Sequence, residues 1–340
     1  MKGNGQSAKV TQPSTQLLLA NNLQKYYGPR PALRSLSFSL QKGHILGFLG
    51  PNGAGKTTAI RILTTILEPD QGYYMVDDIS SDYPEQIRRR IGVLPEGLGF
   101  PRHITGIEYL TYFGQLYGYS KSDARVNSLR LLEEVGLQQR AKSLIGTFSH
   151  GMRQRIGIAR ALVNNPVVVF LDEPTLGLDP RGQQELLTLI QRITRERNVG
   201  VILCSHALSE IEGYCDDVVI MSSGQVVAQG SVADVVGRVQ QNTLNQKTFR
   251  IRTSPDAVEK ALEVLKVTSN VKKVTLVNET DGWLRVELEN IPETSLNRKQ
   301  PLSNQILQAL IRAKVPILGF EAVSGRLQDV FLELTEEIIQ

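Results

Sequence analysis

The sequence predicts an α/β fold, a mostly parallel sheet covered by helices on both sides, followed by a smaller α+β domain. Three observations predict it. The stretch Gly50-Pro51-Asn52-Gly53-Ala54-Gly55-Lys56-Thr57 stands between an apolar strand and a helical pattern. That is the strand–loop–helix context a phosphate-binding loop requires. Two continuous apolar runs, 167–171 and 199–204, alternate with helical stretches, as strands buried on both faces do. Beyond residue 247, strands and helices follow the order βαββαβ, the ferredoxin-like arrangement.

Taken in order, residues 1–16 are rich in Gly, Asn, Gln, Ser and Thr and are expected to be disordered. Strands are expected at 16–19, 32–40 and 44–49, then the glycine-rich turn, a helix over 56–66 and a strand at 72–76. From about 102 to 165 the periodicity is helical, with Val126, Leu129, Leu132 and Val135 spaced by three. This reads as an inserted helical subdomain. Strand 167–171, helix 183–197, strand 201–204, a short helix at 208–214 and strands at 218–221 and 226–229 complete a first domain spanning 17–237. The polar segment 238–247 reads as a linker. The second domain, 248–340, is expected to hold strand 248–252, helix 256–265, strands 271–278 and 283–289, helix 302–313 and strand 317–323. Asp281-Gly282 turns between its central strands, and a last helix is expected over 327–338.

At 340 residues the chain suffices for two domains with separate cores. Its net charge of +4 is a weak excess that argues against nucleic acid as a partner. The densest basic cluster, Arg88-Arg89-Arg90, reads as a solvated helix face. Cys204 and Cys215 lack metal-ligand spacing and read as free thiols of a reducing compartment. No run approaches the 18 or so apolar residues of a membrane span, and the N-terminus lacks the apolar core of a signal peptide. Any membrane role is therefore expected to come through a partner.

The chemistry begins at the loop. Its glycines let successive backbone N–H groups point at one anion, and the following helix adds its positive end. Lys56 supplies a charge for the β- and γ-phosphates of ATP. The Thr57 hydroxyl can ligate Mg²⁺, and Thr58 can reach the α-phosphate. The strand 167–171 ends in two acids, Asp172 and Glu173. Because side chains alternate across a strand, one acid is expected to face the metal and the other the γ-phosphate. Asp172 is the expected Mg²⁺ residue, through water, and Glu173 the general base for the attacking water.

Between loop and acids lies Phe148-Ser149-His150-Gly151-Met152-Arg153-Gln154-Arg155, with Ser149 at a helix N-cap position. It resembles the signature motif of the ABC-transporter ATPases. The resemblance implies a P-loop NTPase core with an antiparallel β subdomain and a helical subdomain. It also implies that Ser149 and Gly151 bind the γ-phosphate held by a second copy of the chain. Two residues depart from the family pattern: His150 stands for a glycine and Met152 for the glutamine. Gly177-Leu178-Asp179 is similar to the family's D-loop, His206 to its switch histidine and Tyr27 to its adenine-stacking aromatic, with Tyr26 the alternative. Glu96 occupies the place of a glutamine that reaches Mg²⁺ and the lytic water, and is expected to act near the metal. The ending Leu327-Gln328-Asp329-Val330-Phe331-Leu332-Glu333-Leu334-Thr335 resembles that of drug-resistance-type bacterial exporter ATPases.

The expected function is that of an ATPase subunit driving a separate integral-membrane permease from the cytoplasmic face of a bacterial membrane. A soluble ATPase of the same family acting on ribosomes or chromosomes is the alternative. One P-loop, no long coiled-coil insertion and the weak charge disfavour it. A regulatory module that holds ATP without turnover is opposed by Glu173.

Overall fold

The computed structural model describes residues 16–97, 99–205, 212–236, 248–278, 282–288 and 302–322. His206, the expected linker 238–247, much of the expected helix 208–214, the expected helix 327–338 and residues 1–15 lie outside the described residues. The chain divides into two compact units between Val232 and Ala233.

The strands of the first unit are β1 (Gln16–Tyr27), β2 (Arg30–Gln41), β3 (Ile45–Leu49), β4 (Gln71–Val76) and β5 (Ile79–Ser80). They continue with β6 (Ile91–Leu94), β7 (Val168–Asp172), β8 (Gly200–Ser205), β9 (Asp217–Ser222) and β10 (Gln225–Ser231). They form one sheet in the order β5-β4-β1-β2-β10-β9-β3-β8-β7-β6. The half β9-β3-β8-β7-β6 is parallel, and β5-β4-β1-β2 is antiparallel. The two halves meet where β10 touches β2 at the single pair Gln225 and Ser35. Strand β3 is buried along its whole length, as the apolar run predicts for a strand covered on both faces.

Helices α1 (Lys56–Leu63), α2 (Pro84–Arg88), α3 (Gly106–Leu116), α4 (Lys121–Glu134), α5 (His150–Ala161) and α6 (Pro180–Arg197) accompany this sheet. Helices α3 to α5 fall between β6 and β7 in the chain, and make up the helical subdomain. Thr105 opens α3 with a reciprocal capping box to Glu108.

Four local expectations are corrected. Strand β1 does not stop at residue 19 but runs to Tyr27. A bulge, with Asn22 at φ 51°, breaks its alternation and hides its second half. Helix α1 ends at Leu63 rather than 66, where Thr64 turns its hydroxyl onto the Ile60 carbonyl at 2.7 Å and Thr65 takes φ 64°. Of the four residues that mark the helical spacing at α4, Leu132 and Val135 are buried, whereas Val126 and Leu129 are 69% and 42% exposed. Ala124, Ser128 and Leu131 join Leu132 on the buried face. Of the triple arginine only Arg88 is helical. It donates to the Thr65 hydroxyl at 2.9 Å, and Arg90 pairs with Asp77 at 2.6 Å.

The second unit contains β11 (Thr248–Thr253), α7 (Val258–Lys266), β12 (Val271–Asn278), β13 (Trp283–Leu288), α8 (Leu302–Arg312) and β14 (Ile317–Ala322). Its sheet order is β12-β13-β11-β14, antiparallel throughout. Two βαβ halves interleaved in this way are the ferredoxin-like fold. Ile251, Leu284 and Val286 of the sheet pack with Leu265, Ile306 and Leu310 of the helices in one core.

Candidate functional site

The loop after β3 is held in place from below. Gly50 has no room for a side chain: a Cβ there would meet the Met221 carbonyl oxygen at 2.6 Å. Gly53, at φ +83°, faces open space, so the constraint there is the left-handed backbone itself. The Ala54 carbonyl accepts from the Gly224 N–H at 3.0 Å, bracing the loop against the β9–β10 turn. Lys56 is only 8% exposed. Its ammonium donates to the Gly50 carbonyl at 2.5 Å and the Pro51 carbonyl at 3.4 Å.

A cleft of about 390 Å³ opens over this loop. It is lined by Pro51, Asn52, Gly53, Gly55, Lys56, Thr57 and Thr58 of the loop, by the acids Glu96, Asp172 and Glu173, and by Ala32 and Leu176. Loop and acids, more than a hundred residues apart in the chain, thus converge because β3 and β7 both flank β8 in parallel register. Glu96 joins them because β6 lies beside β7. Gly50 and Ala54 support the loop rather than line the cleft.

The alternation expected for the two acids is corrected. Asp172 ends β7 opposite Cys204. Glu173 has left the strand: its φ is 49°, and its N–H donates to the Cys204 carbonyl at 3.1 Å. A turn, not the strand pleat, aims Glu173. Burial pushes the Asp172 carboxyl up to about 6, with the charges of Glu96 and Glu173 adding to the rise and Lys56 opposing it. Among the described residues no three His, Cys, Asp or Glu side chains form a group that could hold a metal unaided.

The raised Asp172 carries a stability consequence. With the folded value above the ordinary 3.8, ionising Asp172 costs stability; the cost is fully present above the folded value and absent below the unfolded one. The shift alone corresponds to about 3 kcal/mol, and screening in the open cleft reduces this to about 1–2 kcal/mol. Asp172→Asn is therefore expected to raise the melting temperature of the metal- and nucleotide-free protein at about pH 8 and to leave it unchanged at about pH 3. Equal melting at both pH values would refute the electrostatic reading of the cleft.

Ser149 caps α5, its hydroxyl accepting the Met152 N–H at 3.3 Å. Neither Ser149 nor Gly151 lines the cleft of its own chain. Asp179 caps α6 in the same manner, accepting from the Gly182 N–H at 3.3 Å. Tyr27 ends β1, 49% exposed and paired with Arg30 across the turn, outside the residues lining the cleft. His206 lies outside the described residues. Ala32 and Leu176 line the cleft without any mark in the sequence. His150 turns to its own chain: its ring Nε2 lies 2.8 Å from the Leu176 carbonyl.

An ABC transporter family model matches residues 33–176, the stretch that holds loop, capped serine and acids. The linearmycin resistance ATP-binding protein of Bacillus subtilis is 31% identical over 320 residues, covering 94% of this chain and 98% of that protein. The chain belongs to the ABC transporter ATP-binding family. The daunorubicin/doxorubicin resistance ATP-binding protein of Streptomyces peucetius is 32% identical, covering 96% of this chain and 94% of that one. Among solved structures, an ATP-binding subunit of an ABC transporter superposes with a TM-score of 0.59 at 31% identity, covering 66% of this chain and 93% of that one. As a member of this family, the chain binds and hydrolyses ATP as the ATP-binding subunit of a transporter. The ribosome or chromosome alternative finds no support in these relatives. Among the described residues no helix is long and apolar enough to cross a membrane.

Proposed function

We propose that this chain drives export through a separate integral-membrane permease on the cytoplasmic side of a bacterial membrane, as a pair of copies that sandwich two ATP molecules. One observation carries the reading: the cleft holds loop, lysine and acids, whereas the capped Ser149 of the same chain stays outside it. A helix N-terminus bearing a hydroxyl and free N–H groups suits a phosphate, so the phosphate it serves belongs to a second copy.

In this reading, Gly50 to Thr58 wrap the phosphates and Lys56 turns its ammonium from the loop carbonyls to the β- and γ-oxygens. Tyr27 stacks on adenine, and His206 meets the γ-phosphate. Glu173 takes the proton of the attacking water while the site aligns that water with the γ-phosphorus. Thr57, Asp172 and Glu96 fit Mg²⁺: clustered carboxylates too few to chelate a metal alone suit an ion that takes its other ligands from phosphate and water. Bound there, Mg²⁺ would neutralise the charge that develops on the phosphates. Ser149 and Gly151 of the second copy close over the γ-phosphate, with Asp179 at the seam. Closure is then a population shift driven by ligand.

A second hollow, of about 520 Å³, supports the link to a permease. It is lined by Arg88, Arg89 and Arg160 beside Phe113 and Tyr117, and floored by Ile91, Gly92 and Val93 of β6. An element pressed into it would push on the strand that leads to Glu96. The relatives are linearmycin and daunorubicin/doxorubicin resistance ATP-binding proteins, and a drug-like cargo moved outward is the reading that fits a resistance role. Residues 248–340 are read as an accessory domain that holds or regulates the pair. A chain ending near residue 237 is expected to pair and hydrolyse ATP less well than the full chain. Equal pairing and turnover in sedimentation and phosphate-release assays would remove that role. The reading as a whole is tested by copurifying the chain with the membrane protein encoded beside it and measuring ATP-dependent efflux from vesicles. A complex that hydrolyses ATP but moves no cargo outward would refute the export reading.

A further inference from the structure

We infer that His150 is a positioning residue for hydrolysis, fixing Glu173 of its own chain through the loop that follows it. The inference rests on the reading of Glu173 as general base in a two-chain site. His150 Nε2 donates to the Leu176 carbonyl at 2.8 Å. A carbonyl only accepts, so Nε2 carries the proton. The Leu176 N–H in turn donates to the Glu173 carbonyl at 3.2 Å, and the Leu178 N–H to the Thr175 carbonyl at 3.1 Å. Two hydrogen bonds therefore connect the imidazole to the backbone of Glu173. That backbone sits at φ 49°, a conformation that a non-glycine residue keeps only where its surroundings hold it.

The same segments also lie close together at two glycines. Gly177, at φ +76°, lies beside the imidazole: a Cβ there would sit in van der Waals contact, 3.4 Å from His150 Nε2. A Cβ on Gly151 would lie 3.6 Å from Leu178 Cδ2. The start of α5 thus rests on 176–178 at two points. A glycine at position 150 has no side chain to make the bond, so the departure from the family pattern adds a tie within the chain.

The test uses full-length chains assembled in pairs and purified through two affinity tags, so that each complex holds one chain with Glu173 and one with Glu173→Gln. Hydrolysis then occurs at one site only. In the first arm His150→Ala is placed on the chain with Glu173, in the second on the Glu173→Gln chain. Loss of one hydrogen bond predicts kcat about two- to tenfold lower in the first arm, with KM for ATP unchanged. The second arm should match the reference pair. His150→Gln, which keeps a donor, should restore the first arm. A loss confined to the second arm, equal losses in both or no loss in either would overturn the inference. A further pair carries Ser149→Ala on the Glu173→Gln chain and should also lose turnover. If it does not while the first arm does, the two-chain reading fails and the role of His150 stands.

Discussion

Glu173→Gln is expected to abolish steady-state turnover while leaving ATP bound. The glutamine keeps the size and hydrogen-bonding reach of the side chain but cannot take a proton. General-base catalysis contributes a factor of about 10² to 10⁴, and the loss should fall on kcat. The geometry favours Glu173 over its neighbour for this role. Asp172 is the group whose ionisation burial opposes, flanked by both other acids, and it ends the strand opposite Cys204. Glu173 stands beyond the strand, on a turn that brings it to the cleft it shares with Thr57 and Thr58. With hydrolysis blocked, the pair should accumulate closed with ATP retained, visible as slowed nucleotide release. Equal turnover in the two proteins, assayed with the membrane partner present, would remove the catalytic role of Glu173.

Lys56→Ala is expected to act at the earlier step. The ammonium is buried and held by the Gly50 and Pro51 carbonyls, so it is already at the loop and needs only to turn to meet a phosphate. A hydrogen bond to a charged group contributes about 1.5–3 kcal/mol, which corresponds to about 10- to 100-fold in affinity. Fluorescent-nucleotide titration should show this weakening, with turnover falling alongside it. The substitution also frees two carbonyls, so the comparison needs a melting curve for the nucleotide-free protein. Unchanged ATP affinity in a folded Lys56→Ala protein would refute the assignment of the loop as the phosphate site.

The parts of this site that the sequence discloses are those whose physics is local. The loop is eight consecutive residues, and Gly53 and Gly55 take left-handed backbone within it, although Gly50 answers to the Met221 carbonyl of β9. Strands β3, β7 and β8 are apolar up to the terminal Asp172 and Ser205 because both faces are covered, so their positions are readable. Strand β6 is not, although it delivers Glu96. It is four residues long, and Gly92 sits so close to the Ala161 carbonyl that no Cβ would fit. Its identity depends on a neighbour seventy residues away. The same holds for α4, where the apolar Val126 and Leu129 face outward while the small Ala124 and Ser128 join Leu131 and Leu132 on the core face. Within the site, Leu176 carries no motif; its part follows from the turn after Glu173 and from the bond to His150. The signature departure at position 150 is plain in the sequence, but its partner is a backbone carbonyl, which no side-chain pattern can reveal.

The central claim is that the site is finished by a second copy of the chain. The most direct measurement is complementation between two inactive proteins. One carries Glu173→Gln and supplies an intact Ser149; the other carries Ser149→Arg and supplies an intact Glu173. Each alone lacks one half of every site and should be silent. Mixed and allowed to exchange, they form pairs with one complete site, and ATP turnover should reappear in proportion to those pairs. Silence in the mixture, with both proteins folded and pairing, would contradict the account.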